Sequence, residues 1–344
     1  MDCTHGFNRQ ILFHRIILVT VYGFLLAAGY GTRLFPLSLM RAKPAFYFQG
    51  QPLIEHCLSY LKNAGLFKIG VNAHHQTDSI KLALKDQRVD YWQLEDRILG
   101  TGGALIQARQ FLTEADSAVI MNAKIITHID LKKALAFHQE QHADMTLIVV
   151  QNHKRELFTH VDFDDCYQLR GFVAKDKLNK IKTPYLFTGI QILSSACLFD
   201  LPTTPYFCDT IKDLVPKLLE QGRRICVYQA SEEWFEFSTL QRYLDIHMQK
   251  SSNPIGFIDP SSQVSHQSNI TSCVVWPNTI IPNHVSLTGC IVGDNIQDWP
   301  QQSIFKDCVI MNKPNDFDIK QITQEQQTRI KLEGKLLIYH MQNL

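Results

Sequence analysis

An apolar run that ends in small residues and breaks at once into a glycine-rich turn limits the fold of this chain more than any other feature. The run begins at Val21 and passes through Leu25, Leu26, Ala27 and Ala28 into Gly29-Tyr30-Gly31-Thr32-Arg33. A short apolar segment closed by Gly-x-Gly predicts a buried strand, because glycine lets the backbone turn tightly and approach a ligand. A helix is predicted from Pro52 to Asn63, closing at Gly65, then a strand from Lys68 to Asn72. A helix around Thr77 to Lys85 and a short strand from Asp90 to Leu94 follow, ahead of a second glycine-rich turn. Strands separated by helices argue for an α/β domain whose sheet is covered on both faces. Ligands of such sheets bind beyond the carboxyl ends of the strands, where both glycine-rich turns and Asn122-Ala123-Lys124 fall.

The chain has 344 residues, 45% of them hydrophobic, which is enough for a real core and about two domains. The net charge of +1 supplies no bulk field for nucleic acid or an anionic membrane, so neither partner is expected. Nine cysteines without a C-x-x-C or a metal-ligand spacing predict a reduced, cytoplasmic protein. Ile11 to Ala28 is mostly apolar, but His14 and Arg15 interrupt it and no small-residue cleavage site ends it. Residues 1–20 are therefore expected to be a dispensable extension, and the main domain to occupy 21–250.

Ser251 to Pro254 reads as a linker. Beyond it Val264 and Ile270 are six apart, as are Val275, Ile281 and Leu287, with Asn, Pro, Gly and Ser between them. That beat predicts a few imperfect coils of a left-handed parallel β-helix over 251–312. The final 313–344 is expected to be a helical tail, with Asp316 to Tyr339 forming a capping helix.

Residues 25–46 carry the strongest chemical signal. Gly29 and Gly31 expose backbone N–H groups in a nest suited to an anion. Arg33 adds a planar, permanently charged donor for phosphate, and Lys43, before Pro44, adds a second cation. Leu26-Ala27-Ala28-Gly29-Tyr30-Gly31-Thr32-Arg33-Leu34-Phe35-Pro36-Leu37-Ser38 with Lys43-Pro44 resembles the opening signature of the sugar-1-phosphate nucleotidyltransferases. Val71-Asn72-Ala73-His74-His75, Glu95 with Leu99-Gly100-Thr101-Gly102-Gly103-Ala104-Leu105, and Phe187-Thr188-Gly189-Ile190 resemble later segments of the same family. The likeness is to its N-acetylmuramate-1-phosphate uridylyltransferase and mannose-1-phosphate guanylyltransferase branch.

The resemblance implies a Rossmann-like nucleotidyltransferase domain with a mixed, mostly parallel sheet. It implies a reaction in which sugar-1-phosphate and NTP give NDP-sugar and pyrophosphate, with UTP or GTP favoured. It makes Leu26, Ala27, Ala28, Gly29, Gly31 and Thr32 nucleotide-binding, with the Gly29 to Arg33 loop on the triphosphate, and Arg33 and Lys43 the catalytic cations. Glu95, Gly100, Thr101 and Gly102 would line the base and ribose pocket, and Lys175 and Gly189 the sugar phosphate. His74 and His75 read better as packing residues than as catalysts. Hexapeptide tails of this kind also suggest a homo-oligomer.

Three motifs depart from the family pattern. Two aspartates are expected to hold Mg²⁺, but Asn122-Ala123-Lys124 stands where Asn-Gly-Asp is expected, and Glu236 replaces the second aspartate. Glu236 could coordinate through its longer arm; Lys124 has donors and no acceptor. In the third motif Lys175 keeps the expected lysine, whereas Ala174 replaces a sugar-binding glutamate. Three accounts follow: an enzyme in which Lys124 takes over part of the metal's role, a nucleotide- or NDP-sugar-binding paralogue without turnover that regulates or partners an active subunit, and a purely structural copy.

Overall fold

The computed structural model describes residues 19–153, 156–173, 184–301 and 303–341. The first strand, Val21–Leu26, lies inside a nine-stranded sheet. Its neighbours are Lys68–Ala73 on one side and Ser117–Asn122 on the other, both parallel to it, with Tyr91–Leu94 parallel beyond Lys68–Ala73. Tyr185–Ser194 runs antiparallel to Ser117–Asn122 and carries the sheet onward through His160–Phe163 to Leu169–Val173. Met145–Gln151 and Ile225–Ala230, parallel to each other, also join at Tyr185–Ser194. The sheet is thus mixed, with its parallel half built from the alternating strand and helix pattern read in the sequence.

Helices cover both faces. Gly100–Leu112 packs with Phe24, Ile120 and Leu147 on one face. Leu53–Asn63 packs with Leu25, Val71 and Val119 on the other. Phe24 and Leu25 point to opposite faces, as successive strand residues must, and both are fully buried. Among the described residues, no helix is long and apolar enough to cross a membrane.

Beyond residue 255 the chain forms three parallel ladders. In one, Phe257 pairs with Val274, Val274 with Ile291, and Ile291 with Val309, so each step spans close to three hexapeptides. The others link Val264 to Ile281, and Ile270 to Leu287 and Phe305. The apolar beat of the sequence is the set of residues stacked in these ladders.

The capping helix expected over Asp316 to Tyr339 is not formed. Two short helical turns, Ile319–Gln321 and Gln324–Thr328, lead into antiparallel strands Ile330–Glu333 and Leu336–His340. Gly334-Lys335 supplies the turn, with Gly334 at φ 58°. Leu336 to Tyr339 is buried along the Cys308–Asn312 strand, and extending that ladder hides more apolar surface than a surface helix could.

This C-terminal module sits on the glycine-rich signature. Leu34, Phe35, Leu37, Phe46 and Phe48 share one core with Trp276, Ile291, Val309 and Tyr339. Arg41 pairs with Asp294 and lies over the rings of Tyr47 and Trp276, at 4.8 and 5.1 Å from their centroids.

Candidate functional site

A cleft of about 850 Å³ opens at the carboxyl ends of the parallel strands. The Gly29 to Arg33 loop leaves Val21–Leu26 at its centre. Gly31 takes the left-handed conformation at φ 65°, and Thr32–Leu34 forms one tight helical turn. A chain of hydrogen bonds fixes this loop. The Ala27 N–H donates to Asn72 Oδ1 at 2.6 Å, and Asn72 Nδ2 donates to Glu95 Oε1 at 2.7 Å. Gln93 Nε2 also donates to Glu95 Oε1, and the Leu99 N–H to Glu95 Oε2 at 3.1 Å. Three adjacent strand ends are thereby tied together through one buried carboxylate.

Of the predicted residues, Leu26, Ala27, Ala28, Gly29, Gly31, Arg33, Lys43, Glu95, Gly100, Thr101 and Gly189 line the cleft, and Lys124 joins them. Thr32 and Gly102 do not line it. The Gly102 and Gly103 N–H groups donate to the Cys208 carbonyl at 2.9 and 3.2 Å, so the start of the Gly100–Leu112 helix is closed by protein. Gly100 sits at φ +74°, with Cys208 oxygen only 2.4 Å from where a Cβ would be. Glu95 lines the wall but spends its oxygens on protein donors, which makes it a positioning group. Lys175 lies outside the described residues.

His74 Nδ1 donates to the Glu95 carbonyl at 2.7 Å and His75 Nε2 to the Ser38 carbonyl at 2.9 Å. The pair staples the signature loop, in keeping with a packing role.

Several lining residues belong to none of the sequence motifs. Asp209, Thr210, Ile211 and Lys212 reach the cleft from a π-helical turn, Thr210–Leu214. Asp209 caps that turn by accepting from the Ile211 and Lys212 N–H groups, a pattern that Asp-Thr could have suggested. Phe158, Phe172 and Phe187 form an aromatic wall, and Gln191 stands two residues beyond Gly189.

The cleft is lined by four cations, Arg33, Lys43, Lys124 and Lys212, against two carboxylates, Glu95 and Asp209. Burial pushes the Lys43 ammonium down to about 7; Lys124 adds to this, Glu236 opposes it, and Arg33 adds a smaller push.

Lys124 follows the Ser117–Asn122 strand. Its carbonyl accepts from the Phe237 N–H at 3.1 Å, and Ile125 lies opposite Glu236 in a short antiparallel pair. Lys124 Nζ pairs with Glu236 Oε1. The lysine side chain is 26% exposed and the glutamate 5%; Lys124 lines the cleft, and Glu236 lies behind that lining. Burial alone raises the Glu236 carboxyl, but Lys124, the Ser238 hydroxyl and Lys43 outweigh it and hold it below the usual carboxylate range.

This arrangement does not fit Mg²⁺. The expected first aspartate is an ammonium, Lys124, and that ammonium occupies one oxygen of Glu236. Glu236 Oε2 is the other oxygen, buried and without a hydrogen-bond partner. Mg²⁺ needs several oxygens in near-octahedral array, and among the described residues no group of three or more His, Cys, Asp or Glu could hold a metal. In this structure Glu236 is the counter-charge of Lys124.

The Nucleotidyl transferase family model matches residues 22–253. The chain is 25% identical over 318 residues to a glucose-1-phosphate adenylyltransferase of Clostridium novyi (strain NT), covering 83% of each chain. It is 27% identical over 210 residues to the mannose-1-phosphate guanylyltransferase catalytic subunit beta of Xenopus tropicalis, covering 58% of this chain and 56% of that one. Its fold is similar to that of HddC from Yersinia pseudotuberculosis complexed with GMP-PN, with a TM-score of 0.57 at 21% identity, over 67% of this chain and 99% of that one. The strand-loop signature, the sheet that carries it and the extent of the match together show that this chain belongs to the nucleotidyl transferase family.

Proposed function

We propose that the cleft takes a nucleoside triphosphate beside a sugar-1-phosphate, and that the chain is a sugar-1-phosphate nucleotidyltransferase. The observation that carries this reading is the convergence of the Gly29–Gly31 loop, Arg33, Lys43 and Lys124 on one cleft at the strand ends. In the proposed reaction an oxygen of the sugar phosphate attacks the α-phosphorus of the NTP in line, the new P–O bond forms, and the bond to the β-phosphate oxygen breaks to release pyrophosphate. Little covalent chemistry is asked of the protein; orientation and neutralisation of developing charge carry the rate. Arg33 is assigned to the leaving pyrophosphate and Lys43 to phosphate oxygens. The half of the cleft at Gly100 and Thr101 is assigned to base and ribose, and the half at Gly189, with Lys175, to the sugar phosphate. GTP and UTP are the first bases to test, and ATP is added because an adenylyltransferase is among the relatives.

A second reading is favoured by the Lys124–Glu236 pair: a nucleotide- or NDP-sugar-binding relative without turnover, serving as a sensor or the partner of an active subunit. Loss of a metal clamp removes several kcal/mol of transition-state stabilisation, which one ammonium does not fully replace. The C-terminal ladders are read as a short left-handed parallel β-helix, supported by their three-hexapeptide step, and are assigned a role in self-association. A cytoplasmic location is proposed from the unpatterned cysteines.

Pyrophosphate release by the full chain decides between the readings, with UTP, GTP, CTP, ATP and dTTP each paired with glucose-, mannose- and N-acetylmuramate-1-phosphate. Release above the no-enzyme rate supports the transferase. Silence across the panel, with nucleotide binding intact, supports the binder.

A further inference from the structure

We infer that Lys124 is a built-in cation that replaces the divalent metal of this cleft, so that nucleoside phosphates bind here without one. The inference rests on the reading of the cleft as a nucleotide site and adds how phosphate charge is met there.

Charge balance comes first. Two aspartates holding one Mg²⁺ are neutral overall; Lys124 with Glu236 is neutral too, with no ion present. The exchange at position 124 removes an anion and supplies a cation in one step, and Glu236 supplies the counter-charge. An unpaired ammonium so close to Lys43 and Arg33 would be costly, and Glu236 removes that cost.

Geometry comes second. An ammonium has three donors. Glu236 Oε1 takes one of them, from behind the cleft wall. The remaining two belong to a side chain that lines the cleft, between the Gly29–Gly31 loop and Gly189. Its backbone is tied on both sides: the Ala123 N–H donates to the Leu26 carbonyl at 3.0 Å, and the Phe237 N–H to the Lys124 carbonyl at 3.1 Å. The cation is thus set at a fixed place and needs no ion to be recruited. A divalent cation entering here meets the Lys124 ammonium where it would need an anionic oxygen, and the one unengaged oxygen of Glu236 is buried.

Isothermal titration calorimetry on the full chain, with UTP, GTP and ATP as probes, tests this in EDTA and in excess Mg²⁺. Native affinity is expected to agree within about threefold between the two buffers. Lys124→Asp, which loses the charge-assisted hydrogen bond and adds an anion beside Glu236, is expected to bind about tenfold or more weakly in EDTA and to recover in Mg²⁺. Native binding that vanishes in EDTA overturns the inference and leaves the nucleotide reading intact. Absence of binding to any probe in either buffer overturns the nucleotide reading, and the inference with it. If Lys124→Asp fails to fold, the double substitution Lys124→Met with Glu236→Gln, which leaves no unpaired buried charge, takes its place. It is expected to lose about tenfold in both buffers, and unchanged affinity in it counts against Lys124.

Discussion

Lys43 stands beside two other cations, and its ammonium is held down to about 7 by burial and by Lys124. A bound phosphate favours the charged form. Affinity for a nucleoside phosphate should therefore be greatest below pH 7 and fall as pH rises through 7, where the free protein must take up a proton to bind. Calorimetry from pH 6 to 9 should show that fall, and Lys43→Arg, charged throughout, should flatten it. Asn72 acts through its hydrogen bonds. Asn72→Ala leaves the buried Ala27 N–H without its acceptor and Glu95 without one donor, so urea unfolding should show a loss of about 1–3 kcal/mol. Neither residue is hard to find in the sequence, since both fall in motifs. What the sequence hides is that Glu95 is consumed by Asn72, Gln93 and Leu99, because only the fold brings those donors together.

At the level of elements, the strand-and-turn pattern was legible because local chemistry and burial agree. Apolar runs made the strands, and glycine marked their ends. Gly189 interrupts the pairing of the Tyr185–Ser194 strand with Met145–Gln151 and is tightly specified: it sits at φ +83°, and a Cβ there would lie 2.4 Å from Asn122 Nδ2. Gly189→Ala should cost about 1–3 kcal/mol from backbone strain, before that clash is counted, and thermal unfolding measures it. The elements that escaped reading are those fixed by distant partners. The segment from Tyr206 to Leu214 closes the Gly100–Leu112 helix through the Cys208 carbonyl and adds Thr210 and Lys212 to the cleft, contacts about a hundred positions apart in sequence. The Leu336–His340 strand has apolar residues that suit either a helix or a strand, and the open edge at Cys308–Asn312 settles which.

Across the whole molecule, the C-terminal ladders share one core with the signature segment and the Leu240–Lys250 helix. Trp276 is 1% exposed, meets Phe46 and Tyr47 edge to face, and donates its indole N–H to Tyr243 at 2.9 Å. Trp276→Ala should cost about 3–5 kcal/mol in chemical denaturation, and a loss confined to the C-terminal module would contradict a shared core. Acid should weaken the molecule through two buried histidines. Burial pushes His138 down to about 4 and His247 down to about 3 from the ordinary 6.5, and neither His247 nitrogen has a partner. The unfolded chain then binds more protons than the folded one below pH 6.5, so stability should fall as pH drops from 6.5 toward 4. His247→Phe, set among Phe48, Tyr243 and Phe257, should make that slope shallower.

The Lys124–Glu236 pair ties these scales together: one residue exchange, one strand end and the charge of the whole cleft. The most direct test is a crystal structure of the full chain grown with GTP or UTP in Mn²⁺, whose anomalous scattering locates every bound metal. A phosphate oxygen is expected within hydrogen-bond reach of Lys124 Nζ, with no anomalous peak at coordination distance from Glu236. Manganese bound to Glu236, with Lys124 displaced from the pair, would contradict it.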